Sequence, residues 1–482
     1  MRGIVMLVWA AMTLAVAAAQ SQRSASASPA TASKPYRTDR ILIQPKSGTS
    51  LATLQQFHAR HHCRALTTFK GIRNLQVLEV PPGETVESLV VRYQQSGLVE
   101  FAEPDYTGHL FDTTPNDPAF VNGTLWGLYA ISAPAAWDVL TAATNIVVAV
   151  VDTGVRYTHQ DLASNMWVNP NDGGHGWNAL STNNNPTDAG THGTMVAGVL
   201  GAVGNNGIGV VGVAWRIQIM ACSCFNSLDV GNISDVITCL DYARTNGARI
   251  INASWGFTNS LALSNALVCL RDAGIIVVAA AGNSTNNIDL APNYPAGYGL
   301  DNVVTVASTS RSNTLSSFSN YGAANVALAA PGEQIYSTFP ATDSYYYTES
   351  GTSFSAPYVA GACALLMAQY PADTYRDTIG RLLSSTDPLP ALAGKCRTGG
   401  LLDLARALRT IRLATLPPAS SGVFQLQVSG GMNRTCSVQA STDLVNWLSV
   451  YTNTASTTGT FDFADGQQTN LPLRFYRAAA SP

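Results

Sequence analysis

Three short segments place proton-carrying side chains inside stretches that are otherwise apolar or built of small residues. Ile146-Val-Val-Ala-Val-Val-Asp152-Thr-Gly154 is a β-branched run closed by a carboxylate. Gly190-Thr-His192-Gly-Thr-Met-Val-Ala-Gly198 sets an imidazole at the start of a small-residue helical stretch, and Glu349-Ser-Gly-Thr-Ser353-Phe-Ser-Ala-Pro357-Tyr-Val-Ala-Gly361 does the same with a hydroxyl. These three residue types serve one chemistry. A serine hydroxyl is a poor nucleophile until a histidine accepts its proton, and the histidine needs a carboxylate that fixes its tautomer and stabilises the imidazolium. A helix beginning under Ser353 adds unpaired N–H groups and the positive end of its dipole beside a developing oxyanion. Pro357 is expected close to that helix start, where its missing N–H costs nothing.

The elements that must position these groups follow from hydropathy patterning. Apolar runs at Ile146–Val151, Ile217–Cys222, Ile250–Asn252, Ile275–Ala280, Val303–Val306 and Val326–Leu328 alternate with helical spacing at Val236–Asn246, Leu261–Ala273 and Phe354–Tyr370. Strands that are apolar on both faces, separated by helices, predict a parallel sheet covered on both sides. Ligands bind at the carboxyl ends of such strands, which is where Asp152 stands.

Upstream, Arg40–Gln44 and Leu75–Val80 alternate like strands, while Leu51–His61 and Val86–Ser96 carry helical spacing. With the closing segment Val99–Tyr106 they predict a small α+β unit. Residues 1–19 have a charged start, an apolar run and small residues at Ala17-Ala18-Ala19, the pattern of a secretory signal peptide. Residues 20–35 are Ser/Ala-rich and without periodicity. Downstream, Thr415-Leu-Pro-Pro-Ala-Ser-Ser-Gly422 is linker-like, and the remaining residues, rich in Thr, Ser, Val and aromatics with turns at Gly430-Gly431 and Asp465-Gly466, predict a short all-β module.

A net charge of −3 supplies no basic field for nucleic acid or an anionic membrane. No segment after the leader reaches about 18 uninterrupted apolar residues, so no transmembrane anchor is expected. The eight cysteines fit neither a disulfide framework nor a zinc pattern; they read as small buried hydrophobes with one or two bridges allowed by export. Cys222 and Cys224, two apart on a strand, share a face and are poorly placed to bridge each other.

The order Asp, His, Ser in D-T-G, H-G-T-x-V-A-G and G-T-S-x-S-A-P-x-V-A-G resembles the subtilisin-like serine peptidases, with a thermitase-like catalytic domain. That resemblance implies a secreted serine endopeptidase and a division into signal peptide (1–19), spacer (20–35), inhibitory propeptide of ferredoxin-like α+β fold (36–112), subtilisin-like α/β catalytic domain (113–413), linker (414–422) and β-sandwich-like module (423–482). It implies Asp152, His192 and Ser353 as the triad and Asn283, in Val277-Val-Ala-Ala-Ala-Gly282-Asn283, as oxyanion donor. Ser254, Trp255 and Gly256 would pair with an extended substrate, a β-augmentation mode. Ala280, Gly282 and Asn293 would line the primary pocket, whose small uncharged walls favour apolar or aromatic side chains.

The same resemblance implies a structural calcium ion. Gly204-Asn205-Asn206-Gly207-Ile208-Gly209-Val210 would offer the Asn206 side chain and the carbonyls of Gly204, Ile208 and Val210, with Asp117 and Asp161 completing the set. Protein or peptide substrates and the chain's own propeptide are the expected partners of a monomer. The propeptide tail, residues 107–112, would lie in the cleft and be cut there. Two departures from the family pattern stand behind the serine: Tyr358 in place of the common histidine and Phe354 in place of methionine. His58, His61 and His62 are compatible with a solvated helix face, His159 with a structural role, and Tyr345–Tyr347 with an exposed loop. Two other readings share these residues: a catalytically silent binding scaffold, and a peptide ligase or cyclase whose loops hide water from the acyl-enzyme. The segments Ser441–Trp447 and Arg474–Arg477 resemble repeats appended to secreted bacterial proteins.

Overall fold

The structure is a computed structural model that describes residues 36–106, 113–417, 423–466 and 473–480. The expected leader, the spacer, the propeptide tail at 107–112 and the part of the linker from 418 onward lie outside these residues. The chain divides into two units, residues 1–111 and 112–482.

The first unit is a four-stranded antiparallel sheet in the order Ala65–Phe69, Leu75–Glu79, Tyr36–Pro45, Val99–Tyr106, with helices Leu51–Arg60 and Val86–Gln95. Its core of Ile41, Ile43, Leu54, Leu78, Leu89 and Tyr93 comes from the alternating and helical positions the sequence displays. Strand Ala65–Phe69 escapes sequence patterning because all five of its residues are exposed. His58 differs from expectation. It shares the inward face of its helix with Leu54, one turn earlier, and is buried between the Tyr93 hydroxyl (2.7 Å) and Gln76 Oε1 (2.8 Å). Burial pushes its pKa down.

The second unit is built on a nine-stranded sheet. Its order is Asp387–Pro388, Gly400–Leu401, Leu328–Pro331, Val303–Thr309, Ile276–Ala280, Ile250–Ala253, Ala142–Asp152, Arg216–Ser223, Gly176–Asn178. All pairings are parallel except the first. One face packs on helices His192–Gly201 and Thr352–Gln369, whose sixty-residue cluster includes Val148, Val150, Val199, Leu200 and Leu365. The other packs on Ile233–Thr245 and Leu261–Asp272 through Val147, Val151, Leu240 and Leu267. Strands of this sheet are apolar on both faces because both faces are covered. All eight cysteines are unpaired, and Cys269 alone is exposed, so the allowed bridges do not form. Cys222 and Cys224 both lie beside Cys239 of the covering helix.

The tyrosine run is not a loop. Tyr345–Glu349 pairs antiparallel with Ile335–Phe339, leaving Tyr345 and Tyr347 outward and Tyr346 turned inward. The C-terminal module consists of two three-stranded antiparallel sheets around Leu426, Val428, Val438, Phe461 and Phe463. Its first strand, Arg412–Thr415, straddles the expected boundary between catalytic domain and linker. No helix of the described residues is long and apolar enough to cross a membrane.

Candidate active site

Strand Ala142–Asp152 delivers a buried carboxylate to the carboxyl end of the sheet, with Asp152 only 2 % exposed. Asp152 Oδ1 accepts the Thr153 N–H at 2.8 Å, and both carboxylate oxygens face His192 Nδ1, at 2.9 and 3.0 Å. His192 opens the helix His192–Gly201. The next residue must be glycine: a Cβ on Gly193 would lie 2.1 Å from the Gly154 carbonyl, so its absence lets the helix seat on the D-T-G turn. Burial opposes a charge on His192, but the facing carboxylate of Asp152, reinforced by Asp229 and Asp188, outweighs it and holds the imidazole pKa above its ordinary value. Phe354 packs against the imidazole, ring centres 5.5 Å apart.

Ser353 is the second residue of helix Thr352–Gln369. Pro357 is its sixth residue, well inside the helix rather than at its first turn. A proline there withholds the N–H that would bond the Ser353 carbonyl four residues back. That carbonyl instead accepts the Ser254 hydroxyl at 2.8 Å, and Ser353 Oγ donates to the Ser254 carbonyl at 3.2 Å. Proline thus frees a main-chain acceptor with which Ser254 latches the nucleophile's backbone. No hydrogen bond joins Ser353 Oγ to His192 in this state; such contacts commonly tighten only when substrate binds.

Asn283 Oδ1 accepts both the Thr352 N–H and the Thr352 hydroxyl at 2.8 Å, while Thr352 Oγ1 accepts the Gly282 N–H at 3.0 Å. The acceptor end of the amide is therefore occupied. Its Nδ2 is left free beside Gly351, 3.2 Å from where a Cβ would stand. The Ser353 N–H also has no acceptor among the described residues. Two N–H donors next to the nucleophile are what a developing oxyanion requires. Asn283→Leu is expected to lower kcat by about 10²–10³-fold, the figure known for the corresponding donor in a subtilisin, with KM nearly unchanged; steady-state kinetics check this, and a loss below about fivefold would remove Asn283 from the role.

A cavity of about 250 Å³ is lined by Asp152, Thr153, His192, Phe225, Asp229, Ser254, Trp255 and Gly256. Trp255 is pinned by its indole N–H on the Val151 carbonyl (2.8 Å). Ala280, Gly282 and Asn293 do not line this cavity; Asn293 Nδ2 lies 3.2 Å from both the Gly256 and the Gly282 Cβ positions.

Sequence patterning missed Asp188. Its carboxylate accepts Thr153 Oγ1–H at 2.6 Å, the Gly190 N–H at 3.0 Å, and the N–H and hydroxyl of Thr194. It ties the D-T-G turn to the first turn of the histidine helix, and burial raises its pKa. An acidic residue just ahead of a helix start is the signal that would have found it.

Asp117 and Asp161 are both fully buried, and burial raises the pKa of each. Asp117 accepts the N–H groups of Asn205 and Asn206. Asp161 accepts the Val210 N–H, the Asn206 amide and the Tyr346 hydroxyl. Asn206 Oδ1 accepts the Ile208 N–H. The carbonyls of Gly204, Ile208 and Val210 accept no hydrogen bond among the described residues. No three His, Cys, Asp or Glu side chains cluster there. Two buried carboxylates without a Lys or Arg partner, an amide and three orphan carbonyls form an all-oxygen donor set, which fits calcium rather than a softer metal. His159, with Nε2–H on the Tyr345 carbonyl and Nδ1 accepting the Asp161 N–H, is a neutral structural residue.

A parallel sheet carrying Asp, His and Ser on separate elements at its carboxyl end defines a serine peptidase. The chain belongs to the subtilase family, whose model matches residues 143–403. Residues 22–105 match the fervidolysin N-terminal prodomain. The chain is 40 % identical over 257 residues to thermitase of Thermoactinomyces vulgaris, covering 53 % of this chain and 86 % of thermitase. It is 37 % identical over 287 residues to the thermophilic serine proteinase of Bacillus sp. strain AK1, covering 59 % and 67 %. A solved protease from Pseudoalteromonas arctica superposes with a TM-score of 0.51 at 32 % identity, covering 61 % of this chain and 99 % of that one. The protein is a serine endopeptidase with a prodomain and a thermitase-like catalytic domain.

Proposed function

We propose that this chain is a secreted, self-processing endopeptidase that hydrolyses peptide bonds of proteins through an acyl-enzyme on Ser353. The observation that carries the reading is the Asp152–His192 pair beside a serine flanked by two unengaged donors, Asn283 Nδ2 and Ser353 N–H. Ser353 Oγ attacks the scissile carbonyl carbon as His192 Nε2 takes its proton, and the carbonyl oxygen, now an oxyanion, receives the two N–H donors. His192 returns the proton to the departing amine. A water molecule, activated in the same way, then releases the acyl group as a carboxylic acid. Asp152 keeps the other imidazole proton on Nδ1 throughout. The prodomain occupies the role of an intramolecular inhibitor that the catalytic unit removes by cutting after Tyr106 and before Asn116. A fluorophosphonate probe should label mature protein at Ser353, and its N-terminal sequence should begin in that window. An unlabelled Ser353 in folded protein would sink the reading.

Calcium, when bound by Asp117, Asp161, Asn206 and the carbonyls of Gly204, Ile208 and Val210, would supply the positive charge that two buried carboxylates lack. Because it binds the folded loop alone, it adds stability by mass action, about 2.7 kcal/mol at a hundredfold excess over Kd. Chelation is expected to lower the melting temperature by several degrees, and readdition of calcium to restore it; Asp161→Asn should abolish the calcium-dependent part. A melting temperature indifferent to chelator in the wild-type protein would remove calcium from this loop.

A further inference from the structure

Cys222, Cys224 and Cys239 take no part in the chemistry described so far, yet folding gathers them at one place. The other buried cysteines are dispersed, with Cys63, Cys363, Cys396 and Cys436 each in a different apolar core. Along strand Arg216–Ser223 and the residue after it, alternation turns Cys222 and Cys224 to one face, on either side of Ser223. Helix Ile233–Thr245 packs on that face through Val236, Cys239, Leu240 and Ala243. Cys239 Sγ donates to the Ser223 carbonyl at 3.6 Å, which seats it between the two strand thiols. All three side chains are fully buried, and the structure holds them in the reduced state. Hydrogen bonds from Cys222 and Cys224 pull the Cys239 pKa down and make it the readiest of the three to attack.

We infer that in oxidising surroundings Cys239 forms a disulfide with one of the two strand thiols, and that this bridge staples a loop of the active-site wall. The bridged positions lie 17 residues apart for Cys222 and 15 for Cys224. Between them stand Phe225 and Asp229, which line the cavity beside His192. That loop buries little of its own, since Leu228 and Val230 are 79 % and 60 % exposed. A bridge at its base therefore supplies the anchorage its side chains do not.

The oxidant is an external disulfide, RS–SR, met before the helix closes over the strand. Cys239 as thiolate attacks one of its sulfurs and expels RS⁻, leaving Cys239–S–S–R. The thiolate of Cys222 then attacks the Cys239 sulfur and expels the second RS⁻. The two thiolates released take up the two protons that the cysteines lost, so one external disulfide is reduced as two protein thiols are oxidised. Cys224 remains in reach and can exchange with Cys222 at the Cys239 sulfur. Cys222 and Cys224 share a face and do not bridge each other. Export, as proposed above, supplies the oxidising surroundings; the pairing itself is tested in vitro and stands apart from that reading.

The full chain carrying Ser353→Ala, which cannot digest itself, is refolded in a glutathione mixture rich in the disulfide. It is then alkylated in denaturant and mapped without reduction. Cys239 should appear joined to Cys222 or Cys224, with the remaining thiol of the three alkylated. Folded protein with all three alkylated, or with Cys222 joined to Cys224, overturns the inference. Alanine variants of the proteolytic chain supply the second readout. Cys239→Ala removes every bridge and should lower the melting temperature by about 5 °C. It should also raise KM for a peptide substrate with kcat little changed. Cys222→Ala and Cys224→Ala each leave one bridge possible and should lose less in both measures. Equal losses in the three variants would mean that these thiols only fill space, and would overturn the staple.

Discussion

Ser353→Ala is expected to lower kcat by about 10⁶-fold, the loss known for the same change in a subtilisin, and Asp152→Asn by about 10⁴-fold, with KM changed little in either. The second figure follows from geometry. In Asp152, Oδ1 serves the Thr153 N–H while both oxygens face His192 Nδ1. An asparagine keeps its oxygen on Thr153 and turns its NH₂ toward the imidazole. His192 Nδ1 must then accept, which moves the ring proton to Nε2, where the serine proton has to go. The variant therefore holds substrate and lacks the base.

The pH profile gives a second readout of the same contact. His192 acts as a base only when neutral, and the surrounding carboxylates favour its charged form. Wild-type kcat/KM should fall on the acid side through a pKa above the ordinary histidine value. Removing the Asp152 charge takes away the largest effect raising it, so the acid limb of the residual activity should move to lower pH. Steady-state kinetics against pH check both statements. A loss under tenfold in Asp152→Asn, or an unmoved limb, would mean that the 2.9 Å pair does not govern the base.

The chemistry of this chain is legible in its sequence because Asp152, His192 and Ser353 interrupt runs that folding alone would keep apolar. What surrounds them is less so. Asp188 stands in an Asn/Thr-rich loop where a carboxylate is ordinary, and only the folded chain brings Thr153 and Thr194 onto it. Pro357 reads as a helix-start residue, yet it stands deeper, tolerated because Ser254 supplies the hydrogen bond it omits. His58 and strand Ala65–Phe69 fail in opposite directions: one polar residue is buried by a tyrosine and a glutamine, and five residues of a strand are exposed. The strand Arg412–Thr415 is hidden for a related reason. A four-residue edge strand with no fully buried position carries no pattern that separates it from the linker it precedes.

That strand belongs to a module tied to the catalytic part by several contacts, among them a buried cation, Arg381, where the largest effect on stability is expected. Arg381 is fully buried. It pairs in two-pronged fashion with Asp373, Nε–Oδ2 at 2.6 Å and Nη2–Oδ1 at 3.2 Å. Nη1 donates to the Thr410 carbonyl and hydroxyl, and Nη2 to the Ser429 hydroxyl at 2.6 Å on a strand of the module. The guanidinium lies 3.5 Å from the centre of the Tyr370 ring, whose hydroxyl donates to the carbonyls of Leu408 and Thr410. Arg381→Met keeps most of the volume and strands the Asp373 carboxylate, 7 % exposed, without a counterion. Breaking a buried pair in this way costs about 3–5 kcal/mol, because the abandoned charge remains desolvated. The melting temperature should drop by roughly 5–10 °C, and the module should become more susceptible to limited proteolysis. Arg381→Met with Asp373→Leu should recover most of the loss, since no charge is then left behind. Additive losses in the double variant, or an unchanged melting temperature in the single one, would show that the module is carried by its apolar contacts and that Arg381 does not fasten it.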